Sequence, residues 1–115
     1  LANDAITAGP RGVPTPPAHA HMVACSASGD TCMGIYVRGG RVVLRRTYLA
    51  RYVGRDRLCL RYPARTAAMR GAVVCRTVSL RSEGRAWAAQ AVFALRGPGV
   101  YRAVGYPSVR VTVGG

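Results

Sequence analysis

The strongest alternation in the chain runs from Arg85 to Leu95, where Trp87, Ala89, Ala91, Phe93 and Leu95 recur at period two and line one face of a strand. Weaker versions of that pattern predict six more strands. Gly34 to Arg38 is short and ends at the turn signal Gly39-Gly40. In Arg41 to Val53, Val42, Leu44, Tyr48, Ala50 and Tyr52 share a face that Arg46 interrupts, and a helical turn over Thr47 to Val53 is the alternative. Leu58, Leu60 and Tyr62 alternate with Cys59 and Arg61 until Pro63 ends the run. Val74, Val78 and Leu80 align within Ala72 to Arg81, and Ser82-Glu83-Gly84 turns the chain. Val100 to Gly105 follows the turn Gly97-Pro98-Gly99, and Val109, Val111 and Val113 form a last strand with Arg110 and Thr112 outward.

About seven short strands at turn-punctuated intervals predict an all-β fold, a small β-sandwich of immunoglobulin-like type. Gly99-Val100-Tyr101-Arg102-Ala103 resembles the tyrosine corner of such domains, with Ala103 where antibody domains carry their second cysteine. The resemblance is therefore to the sandwich and excludes an antibody-type disulfide between sheets. An ordinary strand tyrosine is the other reading of Tyr101.

Residues 1 to 24 break from this pattern. They hold four of the seven prolines and both histidines, and proline fixes φ and removes amide donors, so the segment predicts an extended arm. Fully stretched it would reach ~80 Å. Residues 25 to 115 are then the folded domain, in a chain whose 115 residues suffice to bury roughly two-thirds of the unfolded surface. The chain starts at Leu1 with no initiator Met, which fits a processed, exported protein or one trimmed to its ordered part.

Composition narrows the core. Half the residues are apolar but only 7% are aromatic, so Val, Leu and Ala must fill the interior around Trp87 and Phe93. No apolar run nears the ~20 residues of a membrane-spanning helix. Four cysteines in a short chain suit disulfides formed in an oxidising compartment, and so a secreted, extracellular protein. Zinc is the rival, but it usually takes Cys pairs two to four residues apart, a spacing absent here. Of the three possible connectivities, proximity favours Cys25 with Cys32 and Cys59 with Cys75.

Charge bears on function next. The net charge is +13, and all seventeen basic residues are Arg, a bias that fits a gene rich in G and C. Arg38, Arg41, Arg45, Arg46, Arg51, Arg55, Arg57, Arg61 and Arg65, interleaved with Tyr36, Tyr48, Tyr52 and Tyr62, form the densest basic and aromatic region. Arg and Tyr are favoured at protein interfaces, and Arg with aromatics also suits single-stranded nucleic acid. Docking on an acidic protein is the favoured reading, with Arg41, Arg45, Arg46, Arg51, Arg55, Arg57, Tyr48 and Tyr52 as contact residues. Solvated strand faces, or binding of nucleic acid or an anionic envelope polymer, are the alternatives.

The residues offer little for catalysis. Asp4, Asp30, Asp56 and Glu83 are isolated in sequence, against paired-carboxylate chemistry, and Asp56 between Arg55 and Arg57 reads as a charge-balanced turn. His19 and His21 lack a third metal ligand nearby, and no glycine-rich phosphate loop joins a strand to a helix. The expectation is a protein that is not an enzyme and needs no metal or cofactor. In the arm, Arg11 flanked by Pro10 and Gly12, with Ile6 and Val13 near, has the form of an extended ligand for a cleft that accepts a basic side chain. An untethered tail is the alternative.

The arm around Ala8-Gly9-Pro10-Arg11-Gly12-Val13-Pro14 and the cysteine-stapled body from Cys25 to Val113 together resemble the small adaptor component of the bacterial umbrella toxin particles. That resemblance implies a non-catalytic adaptor with two protein partners. The arm would insert into a degenerate trypsin-like domain fused to a lectin, and the body would dock on the acidic repeats of a large toxin subunit. A secreted serine-protease inhibitor using Arg11 or a loop Arg is the second hypothesis.

Overall fold

In a computed structural model, residues 20–49, 54–66 and 68–114 are described, and they form two antiparallel sheets with no helix among them. Nine strands follow in order: β1 Ala20–Cys25, β2 Thr31–Arg38, β3 Arg41–Tyr48, β4 Arg55–Arg61, β5 Val73–Ser79, β6 Arg81–Glu83, β7 Ala86–Ala94, β8 Gly99–Ala103 and β9 Arg110–Val113. One sheet has the order β1-β2-β3-β7-β6 and the other β5-β4-β8-β9. The small sandwich with two disulfides expected from the sequence is what the chain forms, with nine strands where the pattern predicted seven.

The two additional strands have separate causes. β1 lies inside the segment assigned to the arm, so paired strand is present from Ala20, ahead of Cys25. The stretch after Pro17 has no proline to deny it a ladder, and it pairs with β2 up to Cys25 opposite Cys32. β6 occupies part of the expected turn. Leu80 is buried, its amide donates to the Gly54 carbonyl at 3.2 Å, and the chain crosses there from one sheet to the other before Arg81–Glu83 pairs with β7. The predicted strand from Arg41 ends at Tyr48. Residues 50–53 lie outside the described part, with Ala50, Arg51 and Tyr52.

Core packing follows the alternation. Met33 and Ile35 of β2, Val42 and Leu44 of β3, and Ala89, Ala91 and Phe93 of β7 pack against Leu58 and Leu60 of β4, Tyr101 and Ala103 of β8, and Val109 and Val111. Trp87 joins as a half-buried neighbour. Small alanines in β7 let the sheets close where aromatic residues are few. Between β2 and β3, Gly39 and Gly40 both have positive φ, the backbone of a tight two-residue hairpin turn.

The corner at Tyr101 is formed. Its buried hydroxyl donates to the Gly97 carbonyl at 2.6 Å and accepts the Arg96 amide at 2.9 Å, which ties strand β8 to the turn before it. Ala103 is buried in the antibody cysteine position, and both disulfides lie within sheets instead: Cys25–Cys32 joins β1 to β2, and Cys59–Cys75 joins β4 to β5, each between directly opposite residues. These bonds place the protein in an oxidising environment. No described helix is long and apolar enough to cross a membrane.

Candidate anion-binding face

Strand β4 reads Arg55-Asp56-Arg57-Leu58-Cys59-Leu60-Arg61, and its alternation sends Leu58 and Leu60 into the core and Arg55, Arg57, Cys59 and Arg61 to the outer face of the four-stranded sheet. Register aligns further arginines with them. Arg61 stands opposite Arg102 of β8, and Arg102 opposite Arg110 of β9, so three guanidinium side chains occupy one row across three adjacent strands. Neighbouring strands lie about 4.8 Å apart, and like charges directly opposite one another are destabilising. The row therefore sets three like-charged residues side by side, an arrangement complementary to an anion.

No described carboxylate sits on this face. Asp30 ends the β1–β2 loop, and Asp4 is outside the described residues. Asp56 points between the sheets and Glu83 is on the other sheet, and each of these acids holds an arginine that the sequence suggested for partner binding. Arg45 pairs with Glu83 and donates to Gln90 Oε1 at 3.1 Å. Arg46 Nη1 meets Asp56 Oδ1 at 2.9 Å, with Tyr48 donating to Asp56 Oδ2 at 2.6 Å and the Tyr106 ring 5.4 Å from the guanidinium.

The Arg46–Asp56 cluster has an internal electrostatic logic. Burial would lower the Arg46 pKa, but the hydrogen bond with Tyr48 and the charge of Asp56 outweigh it and raise it above its ordinary value. The Tyr48 phenol is pushed up to about 12 by burial and by its hydrogen bond to Asp56. Asp56 is thus a strand residue aimed inward at Arg46, not a turn balanced by Arg55 and Arg57. Arg46 interrupts the apolar face of β3 because a carboxylate across the sandwich receives it.

The basic residues proposed from sequence therefore separate. Arg55 and Arg57 lie on the arginine face; Arg41 is exposed beside the Gly39-Gly40 turn of the other sheet. Arg45, Arg46 and Tyr48 are committed to internal partners. Arg51 and Tyr52 fall outside the described residues, as do Ile6, Ala8, Gly9, Pro10, Arg11, Gly12, Val13, Pro14 and His19. The contact set had omitted Arg61, Arg102 and Arg110. Their outward parity was visible in the alternation, but their alignment depends on register between strands some forty residues apart.

Apolar surface completes the face. The Cys59–Cys75 disulfide lies between Arg57 and Arg61, and Val73, 42% exposed, stands opposite Arg61. Arginine is enriched at protein interfaces, whose centres are more apolar than the surrounding surface. Among the described residues no group of three His, Cys, Asp or Glu side chains is placed to hold a metal ion. No known protein family, no characterised protein sequence and no solved structure matches the chain.

Proposed function

We propose that this chain is a non-catalytic, secreted adaptor that joins two protein partners. The body docks on an acidic protein surface through the outer face of the four-stranded sheet, and the segment before Ala20 occupies a cleft of the second partner. The row Arg61, Arg102 and Arg110, with no described carboxylate beside it, carries the first half of this reading. The Pro-rich stretch around Arg11 carries the second. The resemblance in layout to the umbrella toxin adaptor gives the partners their specific form: an acidic repeat-containing toxin subunit for the body and a degenerate trypsin-like, lectin-linked component for the arm.

Deleting residues 1 to 19 should abolish one interaction and spare the other, whereas Arg61→Gln/Arg102→Gln/Arg110→Gln should do the reverse. Affinity capture from culture medium with each variant, read by mass spectrometry, checks this. Loss of both partners in either variant, or of neither, contradicts the two-surface adaptor.

A further inference from the structure

At the end of the sandwich where β4 runs into the connection to β5, two concave surfaces flank the segment Tyr62-Pro63. The first, about 270 Å³, is lined by Tyr62, Pro63, Arg65, Met69, Arg70 and Arg96 among others. The second, about 380 Å³, lies on the other side of Pro63 and includes Arg61, Arg102, Gly71 and Pro98. Among the described residues neither is lined by an acidic side chain.

Each cleft contains one arginine already held in place. The Arg96 guanidinium stacks on the Tyr62 ring at 4.3 Å from its centroid, and Tyr62 is fixed in turn by donating to the Ala94 carbonyl at 2.6 Å and by edge contact with Tyr101. Stacking occupies the faces of the guanidinium plane and leaves its N–H edge available, the edge that grips a carboxylate in bidentate fashion. Arg61 is held by its Nη1, which donates to the Gly71 carbonyl at 2.9 Å. Holding a guanidinium before binding reduces the side-chain entropy lost when a ligand arrives.

The floor between the clefts is equally constrained. Tyr62 N donates to the Ala72 carbonyl at 2.8 Å, and a Cβ at Gly71 would lie 1.6 Å from the Tyr62 carbonyl oxygen, so only glycine allows this approach. Met69, 60% exposed, adds a flexible apolar wall. Pinned arginine, additional arginine and apolar rim together match an acidic side chain presented on a protein segment, whose carboxylate and methylenes would both find partners.

We propose that these two clefts are the anchor points of the acidic partner, each receiving an Asp or Glu side chain of one segment that passes over Pro63. This rests on the reading of the body as an acid-docking domain and locates its tightest contacts at the end of the sheet, where Arg61 and Arg102 of the row also line the second cleft.

The test is a 15N NMR titration of the full chain with an N-acetylated, C-amidated tetra-glutamate peptide, repeated with Arg70→Gln/Arg96→Gln and with the charge-matched Arg38→Gln/Arg85→Gln. The largest shifts should fall on Arg61, Gly71, Ala72 and Arg96. The first pair should weaken binding at least tenfold and the second less than threefold. Because Arg96 also packs on Tyr62, Arg65→Gln/Arg70→Gln provides a variant that leaves the stack in place, with the same direction expected. Equal weakening by the cleft and control pairs, or shifts centred on Arg55 and Arg57, would overturn the clefts as anchors while leaving acid docking intact. Absence of any peptide binding would remove both. Binding of inorganic polyphosphate at these residues without binding of the peptide would make the ligand a phosphate polymer and also overturn the proposal.

Discussion

Tyr101 and Tyr48 show how differently two tyrosines of one domain are used. Tyr101 closes a corner by donating to Gly97 and accepting from the Arg96 amide, so Tyr101→Phe removes two hydrogen bonds of the buried hydroxyl. The expected loss is about 1–3 kcal/mol in urea unfolding. Tyr48 instead serves the Arg46–Asp56 pair. Its pKa is raised in the folded state from 10.0 to about 12, so above pH 10 the unfolded chain releases a proton that the folded one retains. Stability should therefore fall as pH rises from 10 to 12, and Tyr48→Phe should flatten that slope in denaturant unfolding curves. The tyrosine corner was legible because its glycine and tyrosine are two residues apart. The Arg46–Asp56 pair was not, since it forms across the gap between sheets and sequence neighbours of opposite charge offered Asp56 a simpler partner.

Among the elements, β4 determines most of the molecule's chemistry. Its inward residues build the core, its outward arginines begin the charged row, and Cys59 staples it to the edge strand β5. Cys59→Ala/Cys75→Ala should cost roughly 3 kcal/mol, the chain-entropy value for a loop of this length, measured by chemical denaturation. The arginine row makes an opposite prediction. Arg102 stands between two like charges, so Arg102→Gln should raise stability by about 0.2–1 kcal/mol at low salt, an increase that fades in high salt, while it weakens partner binding. A substitution that stabilises the fold and impairs binding marks a side chain retained for its ligand. Period-two alternation revealed β7 and the outward parity of Arg110. It missed β1 because the prolines ending at Pro17 coloured the whole stretch up to Cys25, and it missed the row because sequence carries no register.

At the scale of the whole molecule, seventeen arginines face four acids, and the fold distributes that imbalance unevenly. The described ion pairs, Arg45–Glu83 and Arg46–Asp56, involve the five-stranded sheet and the space between sheets, while the outer face of the four-stranded sheet and the clefts at its end retain their charge. A charge of +13 attracts any polyanion at low salt, so affinity alone does not distinguish a specific face from general attraction. The sandwich and its disulfide pairing could be read from alternation and spacing. The separation of the basic residues into structural and available sets could not, because it depends on which face each strand presents. The most direct measurement is the affinity of the captured acidic partner for Arg61→Gln/Arg102→Gln/Arg110→Gln, compared at near-physiological salt with the charge-matched Arg38→Gln/Arg81→Gln/Arg85→Gln. A loss of at least tenfold confined to the first variant is the predicted result. Equal losses in both would show that net charge rather than this face governs binding.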